Sequence, residues 1–461
     1  MLTRMASSSP RRTVAAHSDD TIPIQTQTVP PPRRRSSSAE MPRWEIRYPL
    51  IVALVHFLIV QITATLANIY GTDNSPTSQP YGSQFPVPPV PSGIWHHLVE
   101  PMRMWDGLWY RLIAIEGYPT NHVWNDAFWP LYPMSMRGLS RITGLGEDVS
   151  GYLIANICFF VAMVLLYQLV RIDFDTPIAR RTIWAIAIFP TSLFFTAVYT
   201  ESTFLMLSVA ALLCARVRKW WLAGVLGALA ALTRSHGIFL VIPFAVLWVK
   251  QNGFYLRAMI PKGITVAMPL LGPAIFGAYL ERTQGNWRNF IEVQGAWNRT
   301  FAWPWRTFDC AINGCTMDVH QYGTVNSFQA HAADWGWLRS LVDNPSWSLI
   351  SSRAWRIEVA NSDTFELVAT IFFIILIVIG FKVLPLYQSL YLVPGIFIPL
   401  FQPSSVHPLF SIPRFGLVLF PLFIVMAIVF RKRWIYLPLA AISVVLLVLL
   451  TVQFSTWYWV S

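Results

Sequence analysis

The stretch Pro49–Asn68 reads PLIVALVHFLIVQITATLAN. It carries no charged side chain. As one helix rising 1.5 Å per residue, it is long enough to cross roughly 30 Å of hydrocarbon. A secretory signal peptide would bring its apolar block closer to the start and end it in small residues, so this stretch reads as a retained signal anchor. Similar blocks follow at 151–170, 182–199, 202–215, 220–232, 237–249, 263–280, 364–381, 383–401, 415–430 and 434–453. The expected fold is all-α, a polytopic transmembrane helical bundle. The count is about 11 spans (roughly 9–13), because 202–215, 220–232 and 237–249 fall short of the usual ~20 residues. Of the 461 residues, 54% are hydrophobic and 12% charged. That is about half the charge of a soluble domain and excludes one.

Outward from this span the chain changes character. Residues 1–47 are rich in Ser, Pro and Arg and include Pro30-Pro31-Pro32-Arg33-Arg34-Arg35. They read as a disordered basic cytoplasmic tail, and residues 48–461 as the transmembrane domain. Residues 69–150 form a first outer loop. Its Phe85–Pro91 segment disfavours a helix, and its aromatic 105–140 segment is expected to form amphipathic helices in the membrane surface. Residues 281–363 form a large second outer loop. Proline in 182–199 and 383–401 is expected to open cavities without exposing backbone to lipid.

The net charge of +11 does not indicate nucleic acid, because the basic residues sit at helix ends rather than on one face. With the N-terminus inside, the inner connections hold 13 Lys and Arg, and the short outer ones hold six: Arg103, Arg111, Arg137, Arg141, Arg234 and Arg414. The positive-inside bias therefore puts the N-terminus inside and the C-terminus outside. Cys158 and Cys214 fall in apolar spans and read as packed thiols. Cys310 and Cys315 bracket a turn in an outer loop, where an oxidising compartment would bond them.

Against this frame Arg103-Met104-Trp105-Asp106-Gly107-Leu108-Trp109-Tyr110 stands out. Interfacial anchoring accounts for the aromatic residues and the arginine. It does not account for Asp106, which gains nothing beside hydrocarbon and is a candidate functional acid. Trp105 and Trp109 would raise its pKa by shielding, and Arg103 would oppose that. Three further outer connections join it. Tyr199-Thr200-Glu201-Ser202 holds a second acid, either functional or the solvated tip of a hairpin. Leu232-Thr233-Arg234-Ser235-His236-Gly237 and His407–Phe415 hold Arg234 and Arg414, which break the charge bias. Converging guanidinium groups suit a phosphate, which they bind bidentately. His236 and His407 read as hydrogen-bonded boundary histidines rather than metal ligands. No Gly-rich nucleotide loop, His-Glu-x-x-His or zinc spacing is present.

In order along the chain come Trp105-Asp106-x-x-Trp109-Tyr110, Ala114-Ile115-Glu116-Gly117-Tyr118, Phe128-Trp129-Pro130-Leu131-Tyr132-Pro133, Phe189–Phe195, Tyr199–Ser202, the Ala-rich run ending at Arg234, and Pro413-Arg414-Phe415-Gly416. This set resembles the PIG-V family of mannosyltransferases, most closely its prokaryotic members, over about 100–240 and again over 407–430. The resemblance implies a GT-C-like membrane glycosyltransferase serving glycolipid or GPI-anchor-like biosynthesis. It further implies a polyprenyl or dolichyl phosphate sugar donor and an acid in the first outer loop, here Asp106, acting as base. The donor is a substrate, and no cofactor or catalytic metal is expected, although a divalent ion is not excluded. The expected partners are membrane lipids, the lipid-linked donor, and a glycan, glycolipid or protein acceptor. Arg103, Trp105, Trp109, Tyr110, Tyr132, Tyr199, Glu201, Arg234, His236 and Arg414 make up the expected substrate-binding set. The expected location is a cell membrane, with the endoplasmic reticulum as the alternative. The competing reading is a transporter or flippase for lipid-linked sugars, which would show inverted repeats and mid-membrane polar residues.

Overall fold

A computed structural model describes residues 44–71, 91–120, 123–253, 263–321, 324–346, 348, 349, 352 and 363–460. Most of the tail, and residues 85–90 of the Phe85–Pro91 segment, lie outside them. The described part is mainly helical. Its principal helices are α1 (Arg47–Tyr70), α2 (Asp106–Glu116), α3 (Leu131–Thr143), α4 (Glu147–Asp173), α5 (Thr176–Ala187), α6 (Glu201–Arg216), α7 (Trp220–Thr233), α8 (Val241–Asn252) and α9 (Ile264–Gln284). After α10 (Pro304–Asn313) come α11 (Asp363–Val383), α12 (Leu386–Phe401), α13 (Ile412–Leu417), α14 (Pro421–Val429) and α15 (Arg433–Ser455). Among the described residues, α1, α4, α9, α11 and α15 are long and apolar enough to cross a membrane, and α7 and α12 are shorter apolar helices. α4 packs on α6, α6 on α7, α5 on α14, and α1 on α15.

Three expectations change. The block 182–199 is not one helix. Asp175 caps α5 by accepting the Ile178 N–H at 2.9 Å, and α5 then stops at Ala187, three residues before Pro190, whose ring and missing N–H oppose a helix. Residues 188–200 run on as turns and a short 3-10 helix, all buried. Such backbone survives inside a bundle only when its polar groups find partners. Here Ala187 O is met by His56 Nδ1 at 2.6 Å and by the Ser192 hydroxyl at 2.9 Å. Asn156 donates to the Thr196 carbonyl, Ser202 to the Phe195 carbonyl, and Val198 N–H to the Met102 carbonyl. The block 415–430 is likewise split into α13 and α14, with Pro421 opening the second helix.

The segment 281–363 is not purely α among its described residues. Strands β1 (Cys315–Gln321) and β2 (Thr324–Ala330) pair antiparallel, with Cys315 opposite Ala330 and Gln321 opposite Thr324. Met317 and Val319 are buried while Asp318 and His320 are exposed, the two-residue alternation of a strand with one covered face. Cys310 and Cys315 are disulfide-bonded, with Cα atoms 4.9 Å apart. Within the stretch expected to be a tail, Glu45 packs on the helices. Glu45 accepts the Tyr167 hydroxyl at 2.7 Å, and its carbonyl accepts the Gln168 amide at 2.9 Å.

Charged groups gather at two ends of the helices. Glu45 with Arg180, and Asp173 with Arg216 and Tyr387, occupy one end. Asp106, Glu201, Arg234 and Arg414 meet at the other.

Candidate active site

Asp106 opens α2 and Glu201 opens α6, so each carboxylate sits in a first turn, where the helix dipole favours negative charge. Trp105, just before Asp106, has φ 57°, and Ser411, three residues before Arg414, has φ 66°. A bulky residue avoids that region unless its surroundings over-determine it. Trp105 Nε1 donates to the Tyr458 carbonyl at 3.2 Å, and its ring meets Trp459 edge-on at 5.1 Å. The buried irregular segment then sets the height of Asp106. The Tyr199 hydroxyl accepts the Asp106 N–H at 3.1 Å and donates to the Met104 carbonyl at 3.1 Å.

Four charged groups from four chain segments form one row. Arg414 lies 2.8 Å from Asp106 Oδ2 and 3.3 Å from Glu201 Oε1. Arg234 pairs with that same Glu201 oxygen and donates to the Thr200 hydroxyl at 3.0 Å. The Thr200 hydroxyl is 3.3 Å from that of Tyr110. Arg414 faces the rings of Phe194 at 5.4 Å and Tyr199 at 5.5 Å, and Arg234 faces Phe415 at 5.9 Å. Glu201 is 0% exposed and Asp106 7%. Glu201 is thus sealed between two arginines, and Asp106 is the acid closer to open space.

Arg299 adds a third cation, which the sequence shows only as the middle residue of the Asn298-Arg299-Thr300 glycosylation triplet. It donates to the Gln402 carbonyl at 3.0 Å and faces Phe410 at 6.0 Å and Phe415 at 5.8 Å. Burial, and then neighbouring Arg414, pull its guanidinium down to about 10, against the opposing pull of Glu366 and Asp106. Arg299 also lines a cavity of about 770 Å³ with Glu292, Trp303, Arg306, Asp318 and His320. The two guanidinium groups of the row balance its two carboxylates, and Arg299 beside them adds a positive charge that favours an anion.

Other expected site residues stand elsewhere or are already engaged. Arg103 belongs to a separate buried network, 2.6 Å from Glu100 and 2.7 Å from Asp148, which Arg111 also approaches at 3.2 Å. Tyr132 is fully buried and donates to the Gly151 carbonyl at 3.0 Å. His236 packs its ring against Phe415 at 5.1 Å and Phe239 at 5.7 Å, and its buried Nε2 has no hydrogen-bond partner among the described residues. Trp109 stacks on Phe128 at 5.7 Å and meets Trp297 at 5.4 Å, while Tyr110 lies between Phe128, Tyr132 and Tyr199.

The segment that supplies Asp106, Glu201 and Arg234 has known kin. Residues 45–263 match the mannosyltransferase (PIG-V) family. Within this PIG-V region lie both acids and Arg234, whereas Arg299 and Arg414 fall beyond it. A stretch of 166 residues is 31% identical to GPI alpha-1,6-mannosyltransferase 2 of Rattus norvegicus, covering 32% of this chain and 33% of the rat protein. The Mus musculus protein of that name is 32% identical over 165 residues, with the same coverage. The chain thus aligns with about a third of the length of these curated relatives.

Proposed function

We propose that this protein is an integral-membrane mannosyltransferase. It takes the sugar from a polyprenyl or dolichyl phosphate donor and passes it to an acceptor hydroxyl at the outer face, with inversion. The observation that carries the reading is the row Asp106–Arg414–Glu201–Arg234, whose acids and Arg234 come from the PIG-V region. Asp106 accepts the acceptor's hydroxyl proton as its oxygen attacks the anomeric carbon. The bond from that carbon to the phosphate oxygen breaks, and its electron pair leaves on the phosphate. Arg414 and Arg234, with Arg299 beside them, receive that charge. Glu201 holds the two clamp arginines in place. A single displacement fits because Glu201, the second acid of the row, is sealed by arginines and is not offered as a nucleophile.

Arg414 serves both partners. It pairs with Asp106, and an arriving phosphate competes for the same guanidinium, freeing the carboxylate to take a proton. Tyr199 positions Asp106, and Trp105, Trp109 and Tyr110 shape the wall around it. Arg103 and Tyr132 drop out of the proposed substrate contacts, because their polar atoms already serve the fold, whereas His236 keeps a buried, unpartnered Nε2 and stays in the set. The flippase alternative gains no support from the PIG-V match. Both relatives named above are mammalian, which favours the endoplasmic reticulum over the bacterial plasma membrane. The direct test is transfer of label from radiolabelled dolichyl- or polyprenyl-phosphate-mannose by the purified protein in lipid. A protein that binds the donor without transferring sugar, or that only moves it between leaflets of proteoliposomes, would overturn the reading.

A further inference from the structure

Three chain segments that lie far apart in sequence bring His331, Asp363 and His407 together. One donor atom from each lies within 4.8 Å of the other two. The Nδ1 of His407 is 2.9 Å from Asp363 Oδ1, and the two imidazole rings are 5.0 Å apart between centroids. The segments are held in register without help from these side chains. His331 N–H donates to the Val406 carbonyl at 2.8 Å, the Thr364 hydroxyl donates to the Asp334 carbonyl, and the Ser404 hydroxyl accepts the N–H groups of Val406 and His407 at 3.3 Å. A ligand therefore meets a trio that is largely ordered beforehand, and loses little in fixing it.

We propose that His331, Asp363 and His407 form a binding site for a borderline divalent transition cation, Zn²⁺ in the first instance. Two imidazoles and a carboxylate suit such an ion, whereas Mg²⁺ and Ca²⁺ take all-oxygen sets. Zinc with bonds of about 2.0–2.2 Å needs its donors somewhat closer than 4.8 Å, so one side chain must swing inward. His331 is the exposed member and is free to do so, while Asp363 is mostly buried at the start of α11. Three protein donors leave one position for water, which reaches the site from the side of His331. The ion joins the β1–β2 hairpin to the segment 402–411. That segment leads into α13, and Ser411 N–H is itself held by Glu366, one turn beyond Asp363, at 2.9 Å. The clamp therefore steadies the connection that delivers Arg414. It stands apart from the acids that would carry sugar transfer, and it holds whether or not that activity is found.

The test uses the full chain, purified by a tag without histidines and stripped with chelator. The protein is dialysed against micromolar ZnCl₂, and bound zinc is measured by mass spectrometry. The wild type is expected to retain about one zinc per chain and to show a rise in melting temperature on zinc addition. His331→Ala alters an exposed side chain and is expected to fold, yet to bind at least about tenfold more weakly. His407→Gln is expected to behave likewise. His320→Ala, on the exposed face of the hairpin, is expected to keep full uptake and serves as the control. No uptake by the wild type, equal uptake by the His331 and His407 variants, or loss in the His320 control would overturn the proposal. The trio would then be a hydrogen-bonded His–Asp pair beside a second ring.

Discussion

Arg414 sits 2.8 Å from the Asp106 carboxylate. The two residues come from opposite ends of the chain, and the same guanidinium reaches Glu201 at 3.3 Å. This shared cation makes the two acids inequivalent, since among the described residues Glu201 forms an ion pair with a second arginine, Arg234, and Asp106 with Arg414 alone.

Asp106→Asn keeps the shape of the side chain and removes its basicity. Turnover is expected to fall roughly 10²–10⁴-fold with expression and donor binding retained. Asp106→Glu is expected to recover only part, because a displaced carboxylate loses alignment. Glu201→Gln is expected to cost less in turnover and more in stability. An active, folded Asp106→Asn protein beside an inactive but folded Glu201→Gln protein would move the base to Glu201.

Arg414→Ala uncovers two buried carboxylates. Breaking a buried pair from one side costs about 3–5 kcal/mol, so melting is expected to shift down clearly. Arg234→Lys keeps the charge but lacks the planar fork, and is expected to raise donor KM with less effect on melting. Unchanged donor kinetics in Arg234→Lys and Arg234→Ala would leave Arg234 as a partner of Glu201 alone.

Burial pushes the Asp126 carboxyl up to about 6 from its ordinary 3.8, and hydrogen bonds from Gln284 and Asn289 only partly offset this. The folded chain then holds the proton more tightly than the unfolded chain. The associated stability is complete below about pH 4 and is lost as pH rises through about 6. Asp126→Asn is expected to melt higher than wild type at pH 8, with the gap closing toward pH 4. A gap independent of pH would mean that Asp126 does not ionise across this range.

Sidedness is open to labelling in sealed microsomes. A cysteine introduced at the exposed Val325 of the hairpin is expected to react with an impermeant reagent only after detergent. One introduced at the exposed Lys432 is expected to react at once. The reverse pattern would invert the topology.

The helical membrane character, the bonded Cys310–Cys315 loop and the choice of Asp106, Glu201, Arg234 and Arg414 as candidates, which the fold brings together, were legible along the chain. Hydrophobic periodicity, charge bias and the cost of an acid near hydrocarbon are local properties that a sequence displays directly. The strand alternation of Met317 and Val319 was also there to be read, although in a segment too short and too exposed to stand out.

What only the tertiary structure decided is who meets whom. An arginine motif does not reveal whether its guanidinium closes on an acid within its own loop, as Arg103 does with Glu100, or on one from a distant helix, as Arg414 does with Asp106. The irregular run 188–200 looked like a span because its residues are apolar. Its departure from the helix depends on donors from His56 and Asn156 on other helices. The placement of Arg299 and the meeting of His331, Asp363 and His407 were hidden for the same reason. Ion pairs and shared ligands are set by distances through space, and a linear pattern carries that information only where the partners are near neighbours in the chain.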